Sequence, residues 1–296
     1  MIECLVGSEM CIRDRANADE LIERLKNEGS NSPADLFIAV DAGKLQKASE
    51  LDLLQKISSD QINSNISDDL KDVNGFWVPI TYRARILVYS KDRVSAEQLS
   101  TYSSLTDEKW KNKILVRSSS NAYNQALLSS IVANKGVESA TNWASSLVEN
   151  FARDPKGNDR DQVKAIAAGQ GDIAIVNSYY IGLLLSSEKE EELKAGKSVG
   201  VFFPNQAEGE SGTHINISGI GLAKNSPNKE NALKLIEFLT DEPAQSRYVN
   251  TSFEYPVNPN VKPSDIVSNW GWFKRDKLDL NPVSYTHLRA HETLDH

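Results

Sequence analysis
The chain has 296 residues, with 41 acidic against 33 basic side chains and a formal net charge of −8 at pH 7. That balance argues against nucleic-acid binding, which depends on a basic footprint to meet the phosphates. No apolar run approaches the roughly 18 residues of a membrane span, so no span is expected, and the length suffices for one large core or two lobes.

In chain order, the first stretch fits nothing around it. Residues 3–15 (ECLVGSEMCIRDR) and, at the other end, residues 283–293 (VSYTHLRAHET) resemble translated adapter sequence, so residues 1–15 and 282–296 are read as non-native tails. Both cysteines, Cys4 and Cys11, lie in these tails, as do three of the four histidines, His287, His291 and His296. The segment between them keeps His214 and no cysteine, which excludes disulfide scaffolds and thiolate metal sites. Any signal peptide is expected to be missing from this fragment.

Ala18 to Asn27 reads as an amphipathic helix stopped at Gly29. Leu36 to Val40 is a short apolar strand followed by a helix carrying Leu45 and Ala48. Phe76 to Val78 and Ile86 to Tyr89 read as two further strands. Ile114 to Val116 is another, leading through the turn SSSN (Ser118 to Asn121) into a helix from Ala122 to Ala133. Helices follow at Val137 to Asn150 and Asp159 to Ala168. The strand Ile173 to Val176 then runs into a helix from about Tyr179 to Ser186. Val199 to Phe203 and Ile215 to Ala223 are strands, and Asn231 to Thr240 is a helix. Short buried strands alternating with helices predict an α/β chain with parallel sheet.

In open α/β sheets, ligands bind beyond the carboxyl ends of the strands. Two such ends carry tyrosines: Tyr123 after Ile114–Val116, and Tyr179 with Tyr180 after Ile173–Val176. If both strands share a sheet, three phenols converge on one rim. The SSSN turn, with Ser119 and Asn121, offers hydroxyls and free backbone N–H groups at a helix start, either as an anion site or as plain N-capping. Deprotonating one phenol of pKa near 10 costs roughly 4 kcal/mol at neutral pH, and three cost about 12. Neutral packing carries no such cost, so ionised phenols need a small, highly charged cation. Ferric iron, trivalent and oxygen-preferring, fits best. Zinc lacks a second histidine or any cysteine, and calcium favours carboxylates and carbonyls.

Five stretches carry a family resemblance: SPADLFIAVDAG (32–43), FWVPITYRARILVYSKD (76–92), SSSNAYNQ (118–125), GQGDIAIVNSYYIG (169–182) and GTHINISGIGLAKNSPNKENALKLIEFLTDEPAQ (212–245). The chain resembles the ferric-iron-binding solute receptors of bacterial ABC transporters, the tyrosine-rich transferrin-like group. The resemblance implies a two-lobed periplasmic-binding-protein fold of type II, each lobe a mostly parallel sheet flanked by helices. One lobe comprises residues 16–84 and 217–281, the other residues 85–216, with crossover strands near Tyr82–Arg85 and Ile215–Gly219.

It further implies that Tyr123, Tyr179 and Tyr180 ligate Fe3+, and that Arg83 offsets phenolate charge or holds a synergistic anion beside Ser119 and Asn121. Arg85 is the alternative cleft arginine, otherwise a solvated strand residue. Asp41 is expected to cap the next helix, His214 to be structural, and Asp159 with Asp161 to serve a helix dipole. The family's first strand, with a further tyrosine, is expected to be missing ahead of Ala16. The implied function is capture of ferric iron and delivery to an ABC-transporter permease by a monomer that is periplasmic or lipid-anchored. A receptor for an organic anion or polyamine stays open, as does a transferase on the same fold, although no nucleophile set or phosphate loop is present.

Overall fold
A computed structural model describes residues 16–277; both proposed tails, the expected strand ahead of Ala16, and residues 278–281 of the proposed first lobe lie outside the described residues. Helix α1 (Ala18–Glu28) starts where the Asn17 side chain accepts from the Glu20 amide at 3.0 Å and stops at Gly29, whose φ of 54° favours glycine. Strand β1 (Leu36–Ala39), helix α2 (Ala42–Glu50), β2 (Leu54–Gln55) and α3 (Asp60–Asn65) follow. Next come β3 (Trp77–Ser90), β4 (Ile114–Leu115), α4 (Ala122–Lys135), α5 (Val137–Glu149), α6 (Asp159–Ala167), β5 (Ile173–Asn177), α7 (Tyr179–Leu185) and α8 (Glu190–Ser198). The described chain closes with β6 (Val199–Phe202), β7 (Ile215–Ala223), α9 (Lys229–Thr240), α10 (Glu242–Ser252), β8 (Tyr255–Pro256) and α11 (Asp265–Ser268).

The spine is β3. Its first half, Trp77 to Ala84, pairs with β7, and its second half, Arg85 to Ser90, pairs with β5 on one side and β6 on the other. The sequence predicts separate strands at Phe76 to Val78 and Ile86 to Tyr89, with a crossover near Tyr82–Arg85; in the structure they are one strand. The structure accommodates Pro79, which has no N–H to donate, at a register shift between Pro79 and Thr81. The Gln245 amide then fills the irregularity, donating to the Ile80 and Leu239 carbonyls at 2.8 Å each and accepting from the Val257 amide at 3.0 Å.

The expectation of a mostly parallel sheet needs correction at the level of pairing. Only β4 and β5 pair in parallel among the named strands; β1, β2 and β3 each run antiparallel to β7, and β5 and β6 run antiparallel to β3. The physical reason is insertion: β4, β5 and β6 share one direction, but β3 runs against them, as β7 runs against β1 and β3. No described strand pairs with the outer edge of β1, where Ile38 and Val40 are exposed.

Alternation along β3 feeds different cores. Trp77 packs with Ile22, Phe37, Leu45 and Ile217, whereas Leu87 packs with Trp110, Ile114, Leu127 and Ile175 at the far end. Val78, Ile80, Ile86 and Val88 face a third cluster that reaches from α9 to α7 and α8. Residues 273–276 run across both halves. Phe273 stacks on Phe203 at 4.3 Å, Arg275 pairs with Asp69, and Asp276 accepts from Ser130 and Asn134 of α4.

Candidate metal centre
Because β4 and β5 lie side by side in parallel, the turns after them open on the same rim. The β5 end is rooted on the spine. Asn177 pairs with Arg85, and Ser178 is clamped to Ala84 twice, donating its amide to the Ala84 carbonyl at 2.9 Å and accepting from the Ala84 amide at 3.2 Å. Tyr179 and Tyr180 follow at once on α7, half-buried, with ring centroids 4.2 Å apart. Gly182 lies one turn on, where an added Cβ would stand 2.4 Å from Phe253; its lack of a side chain lets α7 approach the end of α10.

Tyr123 comes from α4, and the Tyr179 hydroxyl donates toward the Tyr123 hydroxyl at 3.4 Å. The three predicted phenols therefore gather at one point. Guanidinium groups surround them: Arg83 lies 5.6 Å and Arg117 5.3 Å from the Tyr123 ring centroid, and Arg160 lies 5.9 Å from that of Tyr180. Burial, with the neighbouring phenols of Tyr123 and Tyr180, pushes Tyr179 well above the ordinary phenol range, and burial raises Tyr180 as well. Among the described residues no group of three His, Cys, Asp or Glu side chains is placed to hold a metal ion. Oxygen donors here are phenols.

Beside Tyr123 a small cavity is lined by Arg83, Arg85, Ala126, Asn177, His214 and Asn216. Three of its donors, Arg83 Nε, Arg85 Nε and Asn177 Nδ2, are buried without a partner among the described residues, an arrangement that suits an incoming acceptor. Arg83 also donates to the Val40 carbonyl and to Ser218 Oγ. Burial, together with Arg85 and Arg83, brings His214 down to about 3, so it is neutral at physiological pH. The SSSN turn is used locally. Asn121 caps α4 by accepting from the Tyr123 amide at 3.0 Å, Ser118 bonds Ser120, and Ser119 is exposed outside the cavity lining.

Asp41 is the helix cap expected of it, accepting from the Lys44 amide at 3.2 Å and from Asn216 Nδ2 at 2.7 Å. Two readings are corrected. Arg85 is 2% exposed rather than a solvated strand residue, because it is paired on three sides: with Asp159 at 2.6 Å, Asn124 at 2.6 Å and Asn177 at 3.1 Å. Asp159 is fully buried between Arg85 and Arg117 rather than serving only the dipole of α6, a task left to Asp161 in its capping box with Asn158. Sequence reasoning missed Arg117 altogether. Its place at a strand's carboxyl end, directly before SSSN, was the available signal.

Two strand sets sharing long crossing strands, with a polar site beside the crossing, define a two-lobed α/β solute receptor. The chain belongs to the bacterial extracellular solute-binding protein family, whose profile matches residues 12–274. It is similar to iron uptake protein A1 of Synechocystis, 46% identical over 266 residues, covering 90% of this chain and 73% of that protein. Among solved structures it resembles the Trichodesmium protein (IdiA, FutA) in complex with iron and citrate, with a TM-score of 0.87, 45% identity and coverage of 93% of this chain and 86% of that one. The ferric binding protein from Campylobacter jejuni is similar too, with a TM-score of 0.87, 39% identity and coverage of 95% and 88%.

Proposed function
We propose that this protein captures ferric iron through the phenolates of Tyr123, Tyr179 and Tyr180, with a synergistic anion, and delivers it to an ABC-transporter permease. The observation that carries the reading is the meeting of three phenols, with Arg83 and Arg117 beside the Tyr123 ring. Family membership supports an extracytoplasmic site of action, and within that we infer the periplasm, with or without a lipid anchor. No helix among the described residues is long and apolar enough to cross a membrane. Names given to the relatives, iron uptake and ferric binding, support the choice of cargo; we further take the receptor to act as a monomer that does no chemistry on it.

The chemistry runs from the residues present. A buried phenol stays neutral until a hard cation replaces its proton, and trivalent iron balances three phenolates. Arg83 and Arg117 bring positive charge to the Tyr123 face, so an extra anion is tolerated there. The partnerless donors Arg83 Nε, Arg85 Nε and Asn177 Nδ2 are suited to an anion's oxygens. We place the lobe boundaries at Ala84/Arg85 on β3 and at Asn216/Ile217 on β7, close to where the Arg85 amide donates to the His214 carbonyl at 2.9 Å. Hinge motion there bends the crossing strands, keeps the clusters around Trp77 and Leu87 intact, and is felt by the third cluster and residues 273–276, which span both halves.

Titration with ferric citrate, followed by visible absorbance, tests the reading. A phenolate-to-iron charge-transfer band is expected, and it is lost in the Tyr179→Phe/Tyr180→Phe variant. A colourless iron-loaded protein would sink the proposal, and tight calorimetric binding of a polyamine or organic anion alone would replace it.

A further inference from the structure
We infer that Asp159, which no ligand set includes, is the positioning residue that holds the whole tyrosine cluster in register for iron. The inference rests on the iron reading above and deepens it. Asp159 stands at the first turn of α6, yet its side chain is turned inward and is 0% exposed. Its Oδ2 accepts from Arg85 at 2.6 Å and from the Asn177 backbone amide at 2.8 Å, and its Oδ1 accepts from Arg117 at 3.3 Å. Between them these contacts reach both tyrosine turns. Asn177 ends β5, two residues before Tyr179. Arg85 passes the link on to Asn124, the neighbour of Tyr123, at 2.6 Å, and Asn124 in turn donates to the Arg117 carbonyl at 2.9 Å. Arg117 lies over the Tyr123 ring.

One carboxylate thus joins the spine strand, the end of β4, the start of α4 and the end of β5. It is also the acidic partner of both guanidinium groups, Arg85 and Arg117. Replacing it with a neutral amide leaves two nearby cations without that counter-charge. Arg85 is walled in, whereas Arg117 keeps some solvent access, so Arg117 is the group that swings away and uncovers Tyr123. Outer partners that fix a ligand's orientation are typically worth 10–100-fold in metal affinity.

The test uses Asp159→Asn, Arg117→Gln and the double variant, with ferric citrate as the probe. Asp159→Asn is expected to bind iron about 10–100-fold more weakly and to shift the charge-transfer maximum. Arg117→Gln should do the same, and the double variant should be no weaker than the weaker single one, because both remove one linkage. In the iron-free protein, both substitutions should move the Tyr123 ring resonances in an NMR spectrum. A folded Asp159→Asn protein with the original affinity and band overturns the inference, as do additive losses in the double variant. If Asp159→Asn does not fold, Arg117→Gln decides by itself, and an unchanged affinity and band in that variant overturn it. An original protein that takes ferric iron without any band overturns the parent reading and this one together, which is distinguishable from a normal band that ignores Asp159.

Discussion
Acid should strip this site of iron, and the structure sets a lower bound on how steeply. Tyr179 and Tyr180 are both raised above the ordinary phenol range, first by burial, so both carry their protons in the empty protein at neutral pH. Ligation requires the phenolate, so binding expels those protons and lower pH favours the empty form. Two protons per iron make the affinity fall about 100-fold for each unit of pH, or about 2.7 kcal/mol. The slope is to be measured by competition against a chelator of known protonation behaviour between pH 5.5 and 7.5. Proton release, from binding heats in buffers of different ionisation enthalpy, gives the count independently. Tyr179→Phe/Tyr180→Phe should remove about two protons from it. Release of fewer than one proton per iron would show that these phenols are not displaced and would refute the reasoning.

Three further substitutions probe the scaffold. Gly182→Ala places a Cβ 2.4 Å from the Cβ and Cγ of Phe253; overpacking of this kind costs about 1–3 kcal/mol, visible as a lowered Tm, and Phe253→Leu, which keeps both of those atoms, should not recover it. His214 is depressed to about 3 in the folded protein against an ordinary 6.5, so its contribution is fully present above pH 6.5 and is lost as the pH falls toward 3. That contribution is on the order of 5 kcal/mol, and His214→Gln should flatten the dependence of Tm on pH between 6.5 and 4. Asp41→Ala removes the cap of α2 and an acceptor for Asn216, costing roughly 1 kcal/mol in chemical denaturation. Its iron affinity should be nearly unchanged, because Asp41 lies outside the proposed ligand set.

Strand ends were the most legible feature of the sequence. The apolar runs at 114–116 and 173–176 were followed by tyrosines, across the SSSN turn in the first case, and parallel pairing of β4 with β5 then brought Tyr123 to Tyr179. The cap at Asp41 was readable because its partner lies three residues on; Asn121, expected beside an anion, caps α4 locally as well. The unity of β3 was not legible, because Pro79 and two arginines look like breaks until a bulge and buried partners absorb them. Helices α3, α8 and α10 went unassigned, since Asn- and Ser-rich or Glu-rich runs give weak periodicity and their helicity depends on packing. Asp159 was misread because an acidic residue in a first turn has an adequate local role. Its partners Arg85, Arg117 and Asn177 lie 74, 42 and 18 residues away, a separation that no local pattern reports.

Anomalous diffraction at the iron edge, from crystals grown with ferric citrate, tests the central claim most directly. One anomalous peak is predicted within coordination distance of the hydroxyl oxygens of Tyr123, Tyr179 and Tyr180, with anion density toward Arg83. An iron peak elsewhere, or an organic solute packed between intact phenols with no anomalous signal, would contradict it.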